Sequence, residues 1–362
     1  MAKGTDKGRI PLRRHTFPST LTGLTISYGY HVNPFNKVLP EGLKRLDLSY
    51  AQYHNDSVIT GGLPSTLETL ILTRQHSSHL KPGSLPLGLK SLIIESSYEH
   101  VLDDTILPRS LTHLNLKGGH TQPLGKLPDS LTDLSIELFG TGIISHRPLI
   151  KLLLESYQTL NPDIIFEHLK DLTFFKLRTS DISSITSTRF PNLRDLSIVF
   201  PDVTGNGLID LSGLPSSIRR LTLWAFHLQS PYGPIPNGVE EVNLYGDHAF
   251  DAGIIPTSVT SLFLQGVYLT LPAKEGDAVP WTIPPSVRKL QIHFSPTPAI
   301  HFLPLLPMTI QVVGLTIDPK KGSEQLRRIS ETVFFIMMPS LMDSGFIDVT
   351  TAKFTKVLKA VS

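Results

Sequence analysis

The sequence predicts a repeat solenoid: a leucine-rich-repeat-like horseshoe with a parallel β-sheet on its concave face, a mostly irregular convex side and a short helical C-terminal cap. Three observations carry that expectation. A ten-residue phrase (apolar residue, Pro, two variable positions, then L-x-x-L-x-[LI]) recurs from Phe17 to Leu315. Its prolines return at steps of 20 to 28 residues, apart from one gap of 63 residues. Finally, 29 Pro and 26 Gly punctuate a chain that is 40 % hydrophobic, a pattern of many short strands broken by turns.

The copies run in order. FPSTLTGLTI begins at Phe17, LPEGLKRLDL at Leu39, LPSTLETLIL at Leu63 and LPLGLKSLII at Leu85. LPRSLTHLNL begins at Leu107 and LPDSLTDLSI at Leu127. Within the gap, Leu169, Leu172 and Phe174 keep the apolar spacing of a worn copy, and Pro148 to Leu154 covers another. FPNLRDLSI from Phe190 is one residue short, and LPSSIRRLTL, IPNGVEEVNL, IPTSVTSLFL, IPPSVRKLQI and LPMTIQVVGL follow from Leu214, Ile235, Ile255, Ile283 and Leu306. The count is about thirteen or fourteen coils over residues 17–317.

Each part of the phrase has a physical reading. The last two apolar residues alternate, so they share one strand face while the residue between them points away. Proline cannot donate to a sheet ladder and therefore belongs in the turn before the strand. The apolar residue before it is held extended by the ring and turns inward. One coil cannot bury its own apolar face, but stacked coils can.

These phrases resemble the FNIP (IP22-like) repeat proteins, a branch of the leucine-rich-repeat superfamily whose repeat pairs I/L-P-x-S-[LV]-x-x-L with an upstream F-N. Phe35 and Asn36 supply that pair before LPEGLKRLDL, and KPGSLPLGLKSLII from Lys81 and FDAGIIPTSVTSLFL from Phe250 also fit. The resemblance implies a repeat fold that binds proteins.

The ends differ from the middle. Residues 1–16 read as a basic arm, and residues 318–362 as a cap. Within the cap, Ser323 is a candidate N-cap, and Leu326, Ile329, Val333, Ile336 and Met337 recur at helical spacing; a second short helix is expected over 351–358. Phe334, Phe335, Met337 and Met338 also form a candidate assembly contact.

Composition narrows the function. The 33 basic and 31 acidic residues nearly balance, for a net charge of +2, unlike the basic surplus of a nucleic-acid binder. The chain has 0 Cys, so disulfides, thiol catalysis and cysteine-based metal sites are excluded. No signal segment or membrane-length apolar run is read, and a cytoplasmic or virion-associated location is expected. His76 with His79, or His113 with His120, are the histidine pairs to weigh for a metal, but no H-E-x-x-H or recurring acid cluster accompanies them, so neither metal nor cofactor is expected. No phosphate loop, nucleophile elbow or dinucleotide fingerprint occurs.

What remains is the outward face of the strands. Its second half gathers Phe175, Trp224, Tyr245, Phe263 and His293, flanked by Arg220, Glu241 and Lys289. Aromatics with arginine are the chemistry of binding hot spots, so these eight residues are the candidate partner-binding surface. The expected function is a non-catalytic protein–protein interaction module with a protein partner. A structural subunit of a larger assembly or virion is the alternative, and a β-helix-like polysaccharide-acting enzyme is third.

Overall fold

The computed structural model describes residues 10–11, 16–27, 30–31, 38–50, 62–72, 79–120, 122–138, 145–155, 160, 162–201, 209–225, 232–246, 252–265, 283–293, 306–316, 324–337 and 345–348. It falls into two units, Met1–Phe175 and Lys176–Ser362, each built as a parallel-strand solenoid. Among the described residues, helix is confined to 3-10 turns at Thr179–Ser184 and Ala252–Ile254.

In the first unit the phrase copies deliver β2 (Gly23–Thr25), β4 (Arg45–Asp47), β5 (Thr69–Leu72) and β6 (Ser91–Ile94). β7 (His113–His120), β8 (Asp133–Leu138), β9 (Lys151–Leu154) and β10 (Asp171–Phe174) follow. Each strand pairs in parallel with the next, with phrase residue opposite phrase residue. The worn copies in the 63-residue gap therefore form strands like the others. Ile10–Pro11 (β1) pairs in parallel with Tyr30–His31 (β3), inside and just beyond the segment read as a basic arm. Phe35 and Asn36 lie outside the described residues.

In the second unit β11 (Asp195–Phe200), β12 (Arg220–Ala225), β13 (Glu241–Tyr245), β14 (Ser261–Gln265), β15 (Lys289–His293) and β16 (Val312–Thr316) repeat the arrangement. Their parallel register is again residue for residue.

The phrase explains the core directly. Its three leucine-type positions line up as buried columns, such as Leu43, Leu67, Leu89 and Leu111 for the first and Leu221, Val242, Leu262 and Leu290 for the second. The residue before the proline is buried too in most copies, as at Leu85, Leu107, Leu214 and Ile235, and half-buried at Phe17 and Leu63. Proline starts a β-turn: its carbonyl accepts from the amide three residues on, as in Leu89 N to Pro86 O at 3.1 Å and Val287 N to Pro284 O at 3.0 Å. In the shortened copy the acceptor becomes Phe190 O, reached by Leu193 N at 3.4 Å. Phe166 O does the same for Leu169 N in a worn copy, at 3.3 Å. The turn outlives the proline because the following leucine still has to point inward.

The residue before the first leucine, the Ser of the phrase, ties one coil to the previous one. Ser130 Oγ donates to Leu111 O at 2.7 Å, Ser110 Oγ to Leu89 O at 2.7 Å and Ser258 Oγ to Val239 O at 2.7 Å. Thr66 Oγ1 reaches Leu43 O at 3.0 Å, and in a copy without the hydroxyl His146 Nε2–H reaches Leu131 O at 2.9 Å. The acceptor is each time the carbonyl of the first phrase leucine one coil earlier, which no strand amide satisfies. Where the position is glycine the coils crowd: a Cβ on Gly42 would lie 3.1 Å from Ser19 O. At Ser217 the hydroxyl is buried with no hydrogen-bond partner among the described residues. We expect Ser130→Ala to lower unfolding free energy by about 1 kcal/mol and Ser217→Ala to leave it within about 0.5 kcal/mol, read by urea denaturation.

A bulge changes the pattern once. β7 carries extra residues between Leu116 and His120, with Gly118 at φ +92°, where a Cβ would meet the backbone of Glu95 and Ser96 at 3.0 to 3.1 Å. The detour delivers His120 into the interior beside Tyr98, where Nδ1–H donates to Tyr98 O at 2.7 Å and the two rings stack at 6.2 Å. Nε2 is buried with no partner among the described residues. Burial holds the His120 imidazole below its ordinary pKa, and burial does the same at His146. Both groups are harder to protonate folded than unfolded, so the unfolded chain binds more protons below the unperturbed value of about 6.5. Stability is therefore complete above about pH 6.5 and falls as the pH drops through that value towards the folded pKa. Urea midpoints measured between neutral pH and about pH 5 should show this decline, and His120→Gln should reduce it.

The cap departs from expectation. Where helical spacing predicts a helix after Ser323, itself outside the described residues, the chain forms β17 (Glu324–Arg328), β18 (Val333–Met337) and β19 (Gly345–Asp348). β17 pairs antiparallel with β16, and the three strands pair antiparallel in sequence. Leu326, Phe334 and Ile336 are buried, whereas Ile329, which a helix would have buried, is 56 % exposed in the hairpin turn. The β-branched and aromatic run Val333–Met337 suits a strand, and the edge of β16 supplies the ladder that decides it. Arg328 anchors the hairpin, donating from Nη1 to Leu306 O at 3.0 Å and Pro307 O at 2.7 Å. The helix expected over 351–358 lies outside the described residues.

Candidate functional site

Parallel register in the second unit arranges the outward side chains in columns one strand apart. One column runs Arg220, Glu241, Ser261, Lys289, Val312, and the next Thr222, Asn243, Phe263, Gln291, Gly314. A third begins with Trp224, Tyr245 and Gln265. Strand twist and the ~4.8 Å strand spacing bring neighbouring rings into contact. The Trp224 and Tyr245 rings stack face to face, centroids 3.7 Å apart and 3° from parallel. Phe263, one column over, meets Tyr245 at 5.0 Å and 39°.

The charged residues beside the rings are held in place. Arg220 lies between Asp195, at 2.8 Å, and Glu241, at 3.2 Å. Asn243 Nδ2 donates to Glu241 Oε1 and to Thr222 Oγ1, each at 3.2 Å. Burial, and then the Glu241 carboxylate, push the Tyr245 phenol above its ordinary pKa, so it stays a hydroxyl donor at neutral pH. Lys289 has no ion pair among the described residues. Between Glu241 and Gln325 the face dips into a cleft lined by Asn243, Ser261, Phe263, Lys289, Gln291, Val312 and Gly314.

Of the eight residues read from the sequence, Trp224, Tyr245 and Phe263 form one ring series, Arg220 and Glu241 an ion pair on the same strands, and Lys289 lines the cleft with Glu241 and Phe263. His293 holds its strand position opposite Gln265, but its side chain lies outside the described residues. Phe175 ends the first unit, where it is 44 % exposed. The assembly contact is corrected in part: Phe334 faces the core at 0 % exposure, so it is not available to a partner. Phe335 packs edge-on against Phe346 at 5.2 Å, Met337 pairs with Gln325, and Met338 lies outside the described residues. Sequence reasoning missed Gln325 and Arg327, because a helix expected across them hid their place on the sheet. It also missed Asp195 as the second partner of Arg220.

Among the described residues no group of three or more His, Asp or Glu side chains is placed to hold a metal. His79 is against His100 at 4.9 Å, His113 faces Asp133 at 3.6 Å, and His120 is the buried residue of the bulge. No helix among them is long and apolar enough to cross a membrane.

The coils share an I/L-P-x-S-L turn and a Ser tie to the coil before. Residues 76–119 match the family described as FNIP Repeat. This stretch carries the FNIP repeat. No curated protein matches the sequence. Among solved structures, CroV588, a circular leucine-rich-repeat protein, is 20 % identical with a TM-score of 0.53, covering 84 % of this chain and 48 % of that one. This chain thus spans about half the length of that protein. YopM from Yersinia enterocolitica WA-314 is 18 % identical at TM-score 0.38, covering 79 % of this chain and 61 % of that one. The mouse RP105/MD-1 complex is 14 % identical at TM-score 0.33, with 86 % and 77 % covered. The likeness to CroV588 shows a leucine-rich-repeat type of fold. Within the FNIP match lie Gly88 and Ser110, at the position that ties successive coils.

Proposed function

We propose that the chain is a non-catalytic protein–protein interaction module that binds a macromolecular partner on the outward strand face of its second unit, the face expected to be concave. The observation that carries this is the Trp224–Tyr245–Phe263 ring series beside the fixed Arg220–Glu241 pair. A leucine-rich-repeat fold supports the reading, since such folds commonly mediate protein binding. Large rings already held by neighbours lose little freedom when a partner covers them, and the ordered ion pair adds direction to an apolar contact. A partner of cytoplasmic or virion origin fits the proposal. The test is quantitative capture of proteins from the native source by the full chain and by its Trp224→Ala/Tyr245→Ala variant. A partner retained by the first and lost by the second supports the assignment; equal capture by both removes it.

A further inference from the structure

The outward face changes character where the sheet turns from parallel to antiparallel pairing. Arg220 is neutralised between two carboxylates, but Lys289 and Arg327 have no ion pair among the described residues. Register places them on either side of Val312, with Lys289 opposite it on β15 and Arg327 opposite it on β17. The next outward row is Gln291, Gly314 and Gln325. A Cβ on Gly314 would stand 3.1 Å from Gln291 Cγ, so the Gln291 side chain lies close over the glycine, and the cleft that Lys289, Val312 and Gln325 also line forms a trough beside it. On the far side of Arg327 comes Phe335, packed against Phe346, which is 71 % exposed.

We propose that this trough binds an extended acidic peptide segment of the partner. The proposal rests on the reading of the second unit as a protein-binding surface and specifies the chemistry of what it takes. Carboxylates of the segment pair with Lys289 and Arg327, which no acidic side chain among the described residues neutralises. An amide side chain offers both a donor and an acceptor, so Gln325 in the trough matches the N–H and C=O of a peptide group. Phe346 supplies an apolar contact at one end. The two cations stand two strand spacings apart, ~10 Å. That separation fits two acidic side chains on an extended chain, rising ~3.4 Å per residue, better than one small anion. A nucleic-acid backbone would call for a longer basic stripe than two cations.

The test uses the full chain and a short fluorescein-labelled glutamate-rich peptide containing one phenylalanine, read by fluorescence anisotropy at low and high salt. The expected result is saturable binding that weakens with salt and falls about tenfold in Lys289→Gln/Arg327→Gln. Lys289→Arg/Arg327→Lys, which keeps both charges, should retain it. No binding by the wild-type chain, unchanged binding by the glutamine variant, equal binding of a lysine-rich peptide, or tighter binding of a single-stranded oligonucleotide each overturns the proposal. None of these outcomes touches the ring series, which Trp224→Ala/Tyr245→Ala tests on its own.

Discussion

Replacing Trp224 and Tyr245 together by alanine is expected to weaken partner binding by about a hundredfold or more while leaving the fold intact. Central aromatic residues of an interface typically cost about 2 kcal/mol or more each on truncation, and a hundredfold corresponds to about 2.7 kcal/mol. The two losses will not add. The rings stack at 3.7 Å, so removing either one already loses the contact between them, a coupling of about 0.5–1.5 kcal/mol. Each single variant should therefore account for more than half of the double variant's effect. Tyr245→Phe keeps the ring and should retain most of the affinity. Affinity measured by titration calorimetry, with circular dichroism as the control for folding, checks the series. Strict additivity of the two alanines would mean that the stack does not act as one surface.

Phe190→Ala should destabilise the second unit by about 3–5 kcal/mol, the usual result of removing a fully buried ring. Phe190 is 0 % exposed and stands in a copy one residue short, where its own carbonyl takes over the turn bond to Leu193 N. Its amide donates to Thr186 O at 2.9 Å, and Arg189 lies over the ring at 5.4 Å. Loss of the ring thus empties the core at a point where three local contacts meet. A solenoid coil is stable largely against its neighbours, so the damage should spread along the stack and not remain local. Urea denaturation gives the free energy, and amide hydrogen exchange on β11 and β12 shows the spread. Phe190→Leu should cost far less, about 1–1.5 kcal/mol. Phe346→Ala, at an exposed ring, should change stability by no more than about 0.5 kcal/mol.

The contrast between the repeat and the cap shows where sequence reasoning holds. The L-x-x-L-x-[LI] positions are buried coil after coil, including Leu169, Leu172 and Phe174 in the worn copy, because one local pattern met the same surroundings each time. Residues 324–337 had no such repetition. Leu326, Ile329, Val333 and Ile336 satisfied helical spacing, yet Phe334 and Ile336 also alternated as in a strand. The choice was made by an unpaired edge on β16, which lies outside the segment's own sequence. Likewise Arg220, Trp224, Tyr245 and Phe263 were legible as outward residues, whereas the 3.7 Å ring stack and the clamp on Arg220 were not. Those depend on twist and side-chain angle between strands some 20 residues apart.

The coil, its turn, its inward columns and the register of strand on strand are all legible within a single period, since repetition forces neighbours into line. Packing between distant segments set the rest: the last strands reverse direction, a bulge at Gly118 buries His120, and Lys289 and Arg327 stand beside one trough with no ion pair among the described residues. These are pairings between residues distant along the chain, and their energies depend on which surfaces meet, a quantity that no local pattern contains.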